Sequence, residues 1–116
     1  MKPSVFRTQT YRNQSLELFL DMVHTSQMTY WASDLLSKGL KPDDIRQAVR
    51  RGMMACKNGG LDFHRHFKMM YTSSNQGVSF DDCKMTKLGY RLTILNANPR
   101  NKYVARVQIK FAQRQV

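Results

Sequence analysis

The sequence predicts a small α+β domain with about four to five helices and one β-hairpin. Apolar residues at helical spacing stop at Asn58-Gly59-Gly60 and return after Thr86. Between these positions, apolar residues flank the polar and glycine run 72–77, which is typical of a hairpin. A chain of 116 residues that is 41% hydrophobic is expected to form one domain with a modest core.

The first half of the chain is predicted to contain three helices and a short strand. Residues 1–14 are polar and weakly patterned, and they are predicted to be a flexible segment ahead of a domain over 15–116. A helix over about 15–24 is indicated by four apolar residues at helical spacing: Leu16, Phe19, Leu20 and Val23. A β-prone strand at 29–31 and a short helix that ends at Gly39 follow.

Capping signals predict the boundaries of the remaining elements. Pro42, followed by two aspartates, begins a helix over about 42–57. Its buried face is predicted to hold Ile45, Val49, Met53 and Cys56. The hairpin covers about 66–81, and Thr86 caps a helix over 87–96. Asn98 and Pro99 are predicted to begin the last helix, 99–114, whose core face is Val104, Val107 and Phe111.

Several classes of protein are disfavoured by the sequence. There is no run of about 18 apolar residues, so we expect no transmembrane span. The first residues lack the apolar core of a secretory signal, which favours a cytoplasmic location. Parity alone allows Cys56 and Cys83 to pair, but in that compartment reduced thiols are expected.

No metal, cofactor or catalytic site is expected. His64 and His66 can both ligate a metal only on a strand, and no third ligand stands nearby in the sequence. They are predicted to be surface or edge residues before the hairpin. Neither the serines, the cysteines nor the carboxylates fall in a known catalytic signature, so the protein is predicted not to be an enzyme.

The charge of the chain is its clearest functional signal. The formal charge is +11, and residues 41–116 carry fifteen basic and five acidic residues. Lys and Arg side chains release condensed counterions when they bind phosphates, so this imbalance favours a nucleic-acid partner. An anionic membrane surface is the electrostatic alternative.

The last helix concentrates this charge. Lys102, Arg106, Lys110 and Arg114 are four residues apart, where like charges repel by a few tenths of a kcal/mol per pair. A solvated face on a core helix is the alternative reading. The residues predicted to bind nucleic acid are Arg46, Arg50, Arg51, Lys57, Lys87, Arg91, Arg100, Lys102, Arg106, Lys110 and Arg114. Amide or aromatic partners are predicted nearby: Tyr90, Asn96, Asn98, Asn101, Tyr103 and Gln108.

Five segments of the sequence, in order, resemble one family. They are Tyr30–Leu36, Ala48–Phe67, Met85–Leu92, Asn96–Arg100 and Val104–Ala112. Together these segments are similar to the BRO-type N-terminal domain and to DNA-damage-inducible protein D, in the KilA-N-related phage antirepressor group. The resemblance covers about residues 15–116. It implies a small α+β domain that binds DNA or partner regulators, and it implies no catalytic residue.

The expected function is a non-catalytic, DNA-binding transcription regulator of a phage or mobile genetic element. The expected partner is double-stranded DNA, and a homodimer is expected because small DNA readers often pair to match two half-sites. The alternative is an antirepressor-like interaction module that inactivates a repressor or DNA-repair protein without contacting DNA. A small nuclease is disfavoured, because it needs clustered carboxylates and a metal.

Overall fold

Four α-helices, two 3₁₀ segments and a three-stranded antiparallel sheet make up the described part of the chain. The structure is a computed structural model that describes residues 3–75 and 77–114, and their side chains outside 3–14, 72–74 and 78–81. The α+β class and the hairpin are therefore confirmed. Across the described residues no helix is both long and apolar enough to cross a membrane.

The helices of the first half begin with α1, Pro3–Ser26, and continue with the 3₁₀ segment Ala32–Lys38 and α2, Pro42–Asn58. α1 starts well before the predicted residue 15, because after Pro3 no glycine or proline interrupts the helical backbone. The prediction that residues 1–14 are flexible concerns their motion, which a static structure does not measure, so it stays a prediction. The 3₁₀ segment ends, as predicted, at Gly39, whose φ of 90° suits a residue without Cβ.

The sheet contains β1 (Tyr30–Trp31), β2 (Phe67–Ser74) and β3 (Gly77–Met85) in the order β1-β3-β2. The predicted six-residue loop is wrong: Ser74 pairs with Gly77, so the strands continue almost to the tip. Backbone pairing between strands tolerates the polar residues that had suggested a loop. Asp82 and Cys83 lie inside β3, which continues to Met85, past the predicted end of the hairpin at about 81.

The last two helices are α3, Lys87–Leu95, and α4, Lys102–Gln113. The Thr86 cap is confirmed, since its side chain accepts a hydrogen bond from the Gly89 N–H. The predicted start of α4 at Asn98 is wrong. Asn98 accepts instead from the Arg100 N–H in a turn, and Asn101 caps α4 by accepting from the Val104 N–H.

The core lies between α2, the sheet and the α3–α4 pair. Its completely buried side chains include Leu35, Val49, Cys56, Cys83, Met85, Ile94 and Val104. The predicted faces of α2 and α4 are confirmed, with Met53, Val107 and Phe111 half-buried against this core. Cys56 is buried, as predicted, and Cys83 is buried as well. Burial raises the pKa of the Cys83 thiol to about 12.

Gly89 marks the closest approach between α3 and the sheet. A Cβ at this position would lie 2.6 Å from the His66 carbonyl oxygen and 3.3 Å from the Met85 Cβ. That carbonyl is also held, because it accepts the Thr86 N–H at 3.0 Å. The backbone therefore has little room to yield.

Changing Gly89 to Ala is expected to lower the free energy of unfolding by about 1–3 kcal/mol, the usual range for overpacking. The direction of this change is informative, because a Gly-to-Ala change inside a helix ordinarily raises the free energy of unfolding by about 1 kcal/mol. Urea unfolding measures the effect. Gly52→Ala is a milder control, since its nearest atoms are 3.2 Å from the added Cβ. An unfolding free energy for Gly89→Ala equal to or above that of the wild type would contradict the close contact.

Candidate nucleic-acid interface

The basic stripe of α4 is exposed as predicted. Lys102, Arg106, Lys110 and Arg114 all lie on the surface. No carboxylate in the described part of the chain forms an ion pair with any of them. Each four-residue step turns about 40° around a helix. Lys102 and Arg106 therefore point directly away from the buried Val104, while Arg114 has turned toward α3.

A basic groove surrounds the start of α4. One part, of about 570 Å³, is lined by Lys41, Asp44, Asn98, Arg100, Asn101 and Lys102. An adjoining part, of about 210 Å³, is lined by Asp44, Gln47, Arg51, Asn96 and Asn98. Asp44 and Asn98 belong to both, so the two form one surface, called here the asparagine-basic groove. It combines four cations with a single carboxylate.

Asn101 builds this groove by joining two distant segments. Its side-chain oxygen accepts from the Val104 N–H at 3.0 Å, and its amide nitrogen donates to the Lys38 carbonyl at 2.9 Å. The Lys38 ammonium lies 5.0 Å from the centre of the Tyr103 ring. The end of the 3₁₀ segment is thus fastened to the first turn of α4, which places Lys41 near Arg100 and Lys102.

Three of the predicted amide or aromatic partners are turned inward. Gln108 donates to the Ile94 carbonyl at 2.9 Å and the Ala97 carbonyl at 3.1 Å, so it ties α4 to the end of α3. The Tyr90 and Tyr103 hydroxyls are 2.8 Å apart, and Tyr90 stacks on Tyr30. Burial and the Tyr103 hydrogen bond raise the pKa of Tyr90. These side chains hold the helices together, whereas Asn96, Asn98 and Asn101 line the groove.

The basic residues of α2 are divided between two sides of the helix. Arg46 and Arg50 are turned by roughly 100–140° from Arg51 at the ideal helical twist. Only Arg51 lines the asparagine-basic groove. Arg46 instead pairs with Asp43 and lines a small pocket beside Asp82. Lys57 lies on the Arg46 side and is exposed. The eleven predicted residues therefore do not form one continuous face.

Arg91 and Arg114 belong to a different surface. They border a cleft of about 230 Å³, called here the α3–α4 groove, whose floor is Leu88, Leu92, Leu95 and Phe111. The Arg91 guanidinium lies 5.6 Å from the centre of the Phe111 ring. Lys87 is exposed at the first position of α3. An apolar floor between two arginines suits an amphipathic partner better than a bare phosphate chain.

Lys41 is the groove residue that sequence reasoning missed. It stands alone beside Pro42, where it is the N-cap residue of α2 without a side-chain capping bond. In the sequence, the residues around Lys41 indicate only the start of a helix. Nothing in the spacing of the charged residues relates Lys41 to the basic residues of α4. Its membership follows only from the Asn101–Lys38 hydrogen bond.

The histidines have structural positions. The His66 Nδ1 lies 2.8 Å from the Thr86 hydroxyl, and burial lowers the pKa of this imidazole. His64 is exposed, as predicted, and packs against Phe63. Within residues whose side chains are described, no three His, Cys, Asp or Glu groups are placed to hold a metal ion.

Comparisons with known proteins identify no relative of this chain, so its function is argued from its own side chains. No family model, curated protein or solved structure matches the chain. The resemblance to the BRO-type N-terminal domain therefore stays a prediction.

Proposed function

We propose that the chain is a non-catalytic DNA-binding regulatory domain that contacts double-stranded DNA through the asparagine-basic groove and the outward face of α4. One observation carries this proposal. Lys41 and Arg51 belong to α2 and its cap, Arg100 and Lys102 lie at the start of α4, and these two distant segments converge on one concave surface. Bringing like charges together has no folding benefit, so an anionic ligand is the physical reason for the arrangement.

The composition of the groove suits both parts of DNA recognition. Lys and Arg bind phosphates and so set the position of the protein on the duplex. Asn side chains can pair with adenine edges, and Arg can pair with guanine. Arg106 and Lys110 extend the cationic surface beyond the groove along the exposed side of α4. Positioning through phosphates with limited base reading is the expected mode.

The regulatory role rests on the resemblance and on the small size of the unit. A phage or mobile-element protein of this kind would act in the cytoplasm of a bacterial host and would control transcription by occupying DNA. That role needs only binding, which agrees with a basic surface built from amides and cations.

A mobility-shift titration at two salt concentrations tests DNA binding. If about six phosphates are contacted, the affinity is expected to fall by roughly 10³-fold or more between about 50 and 200 mM salt. Random-sequence and genomic duplexes compared at each salt concentration separate phosphate contacts from base reading. No binding at the lower salt concentration would overturn the proposal.

The runner-up function is a protein-interaction module of the antirepressor type. It is favoured by an apolar concavity of about 420 Å³ on the sheet side, lined by Met53, Phe63, Phe67, Met69 and Tyr71 with polar residues at its edge. Methionine-rich and aromatic surfaces of this kind adapt to protein partners. Complexes formed there should weaken far less with salt than DNA complexes.

A further inference from the structure

α1 has an exposed apolar surface that its own chain does not cover. Five side chains are 40–71% exposed: Leu16, Leu18, Phe19, Leu20 and Met22. They lie on more than one side of the helix, and a helix that is apolar on several sides is normally buried. The Cα radius of gyration is 17.9 Å, against about 13 Å for a compact chain of similar length. These observations indicate that much of α1 projects from the body, which the helix contacts near its C-terminal end.

The second half of α1 is acidic, whereas its first half carries Arg7 and Arg12. Between residues 15 and 26 it carries Glu17 and Asp21 and neither lysine nor arginine. Asp21 lies 3.5 Å from Lys68, an exposed ion pair beside β2 that contributes little stability. The two carboxylates are one helical turn apart, next to the apolar stripe Leu16–Phe19–Leu20. Residues 15–26 offer no lysine or arginine to anionic lipid headgroups, so a lipid surface is a poor occupant of this half of the helix.

The α3–α4 groove is complementary to the second half of α1 in polarity and in charge. Its floor is apolar, Leu88 and Leu95 remain 38% and 49% exposed, and Arg91 and Arg114 stand at its edges. The described carboxylates form no ion pair with either arginine. An amphipathic helix in an apolar groove is a common mode of recognition, with the charges at the rim setting its orientation. Within one chain the two surfaces do not meet, since both are exposed.

We propose that α1 of one copy docks in the α3–α4 groove of a second copy, and that the second copy returns the same contact. Reciprocal exchange makes a closed two-fold dimer. It also buries two surfaces on each copy, the apolar side of α1 and the α3–α4 groove. Pairing α1 with α1 would cover only one surface and would leave both arginines unpaired. This proposal is independent of DNA binding, and it assigns Arg91 and Arg114 to dimerisation.

Charge reversal gives the test. The wild type at high micromolar concentration is expected to have twice the 13.6 kDa chain mass by light scattering. The variant Glu17→Arg/Asp21→Arg and the variant Arg91→Glu/Arg114→Glu should each dimerise roughly tenfold or more weakly, because like charges then meet. An equimolar mixture of the two should restore the dimer, since both of its contacts again join opposite charges.

Each outcome decides the proposal. A monomeric wild type would overturn the proposal, and a different protein would then be the candidate to cover the apolar surface of α1. Undiminished dimerisation of Glu17→Arg/Asp21→Arg would point to another interface, and a mixture of folded variants that stays monomeric would exclude the exchange. Cooperative thermal unfolding checks that each variant folds. If Arg91→Glu disturbs the contact with Phe111, Arg114→Glu alone, at an exposed position, serves as the groove variant.

Discussion

Changing Lys102, Arg106 and Lys110 together to alanine is expected to weaken DNA binding by roughly 10- to 100-fold at low salt. The salt slope should fall by about three units, since each lost phosphate contact removes about one. All three side chains are exposed and outside any described ion pair, so the unfolding free energy should change little. Mobility shifts on several unrelated duplexes should show nearly the same loss, because phosphate contacts carry no sequence information.

The matched control removes equal charge elsewhere. Arg65, Lys68 and Lys84 lie on the 3₁₀ segment Phe63–Arg65 and the sheet, and they line neither part of the asparagine-basic groove. Changing these three to alanine lowers the net charge by the same amount, so it measures the general electrostatic contribution. Each has a partner, namely Asp62, Asp21 or the Trp31 ring, so cooperative unfolding first checks that this control folds. If the α4 triple variant folds and binds DNA with wild-type affinity, the stripe is only a solvated face. The interaction-module function would then be preferred.

Changing Leu35 to Ala is expected to lower the free energy of unfolding by about 2–5 kcal/mol. Leu35 lies in the 3₁₀ segment and is 0% exposed in the middle of the core cluster. Removing its side chain loses transfer free energy and leaves a cavity that close-packed neighbours cannot fill. Much of the stability of a domain this size would be lost.

The neighbouring leucine is the control for this change. Leu36 is 50% exposed, so Leu36→Ala should cost about 1 kcal/mol or less. Urea unfolding of the two variants compares the same chemical change at adjacent positions. Similar losses at both would show that the 3₁₀ segment does not pack with Leu35 inward.

The sequence by itself determined the features that depend on neighbouring residues. α2 and α3 begin within one residue of their predicted starts, because Pro42, the aspartates after it and the Thr86 hydroxyl act within one helical turn. The core faces follow from the helical repeat in the same way. The start of α4 was predicted wrongly at Asn98, although an asparagine is indeed the cap: Asn101 caps α4 and also reaches the Lys38 carbonyl, a contact with a distant segment.

Only the tertiary structure decided which charges share a surface. Lys41 and Arg51 belong to α2 and its cap, Lys102 begins α4 about fifty residues later, and the helical repeat does not relate one helix to the other. Long-range contacts, such as Asn101 to Lys38 and Gln108 to the Ile94 carbonyl, set those relations. The same packing separated Arg46 from Arg51 and moved Arg91 and Arg114 to an apolar groove. Charge spacing is a property of the sequence, whereas a binding surface depends on how the helices pack.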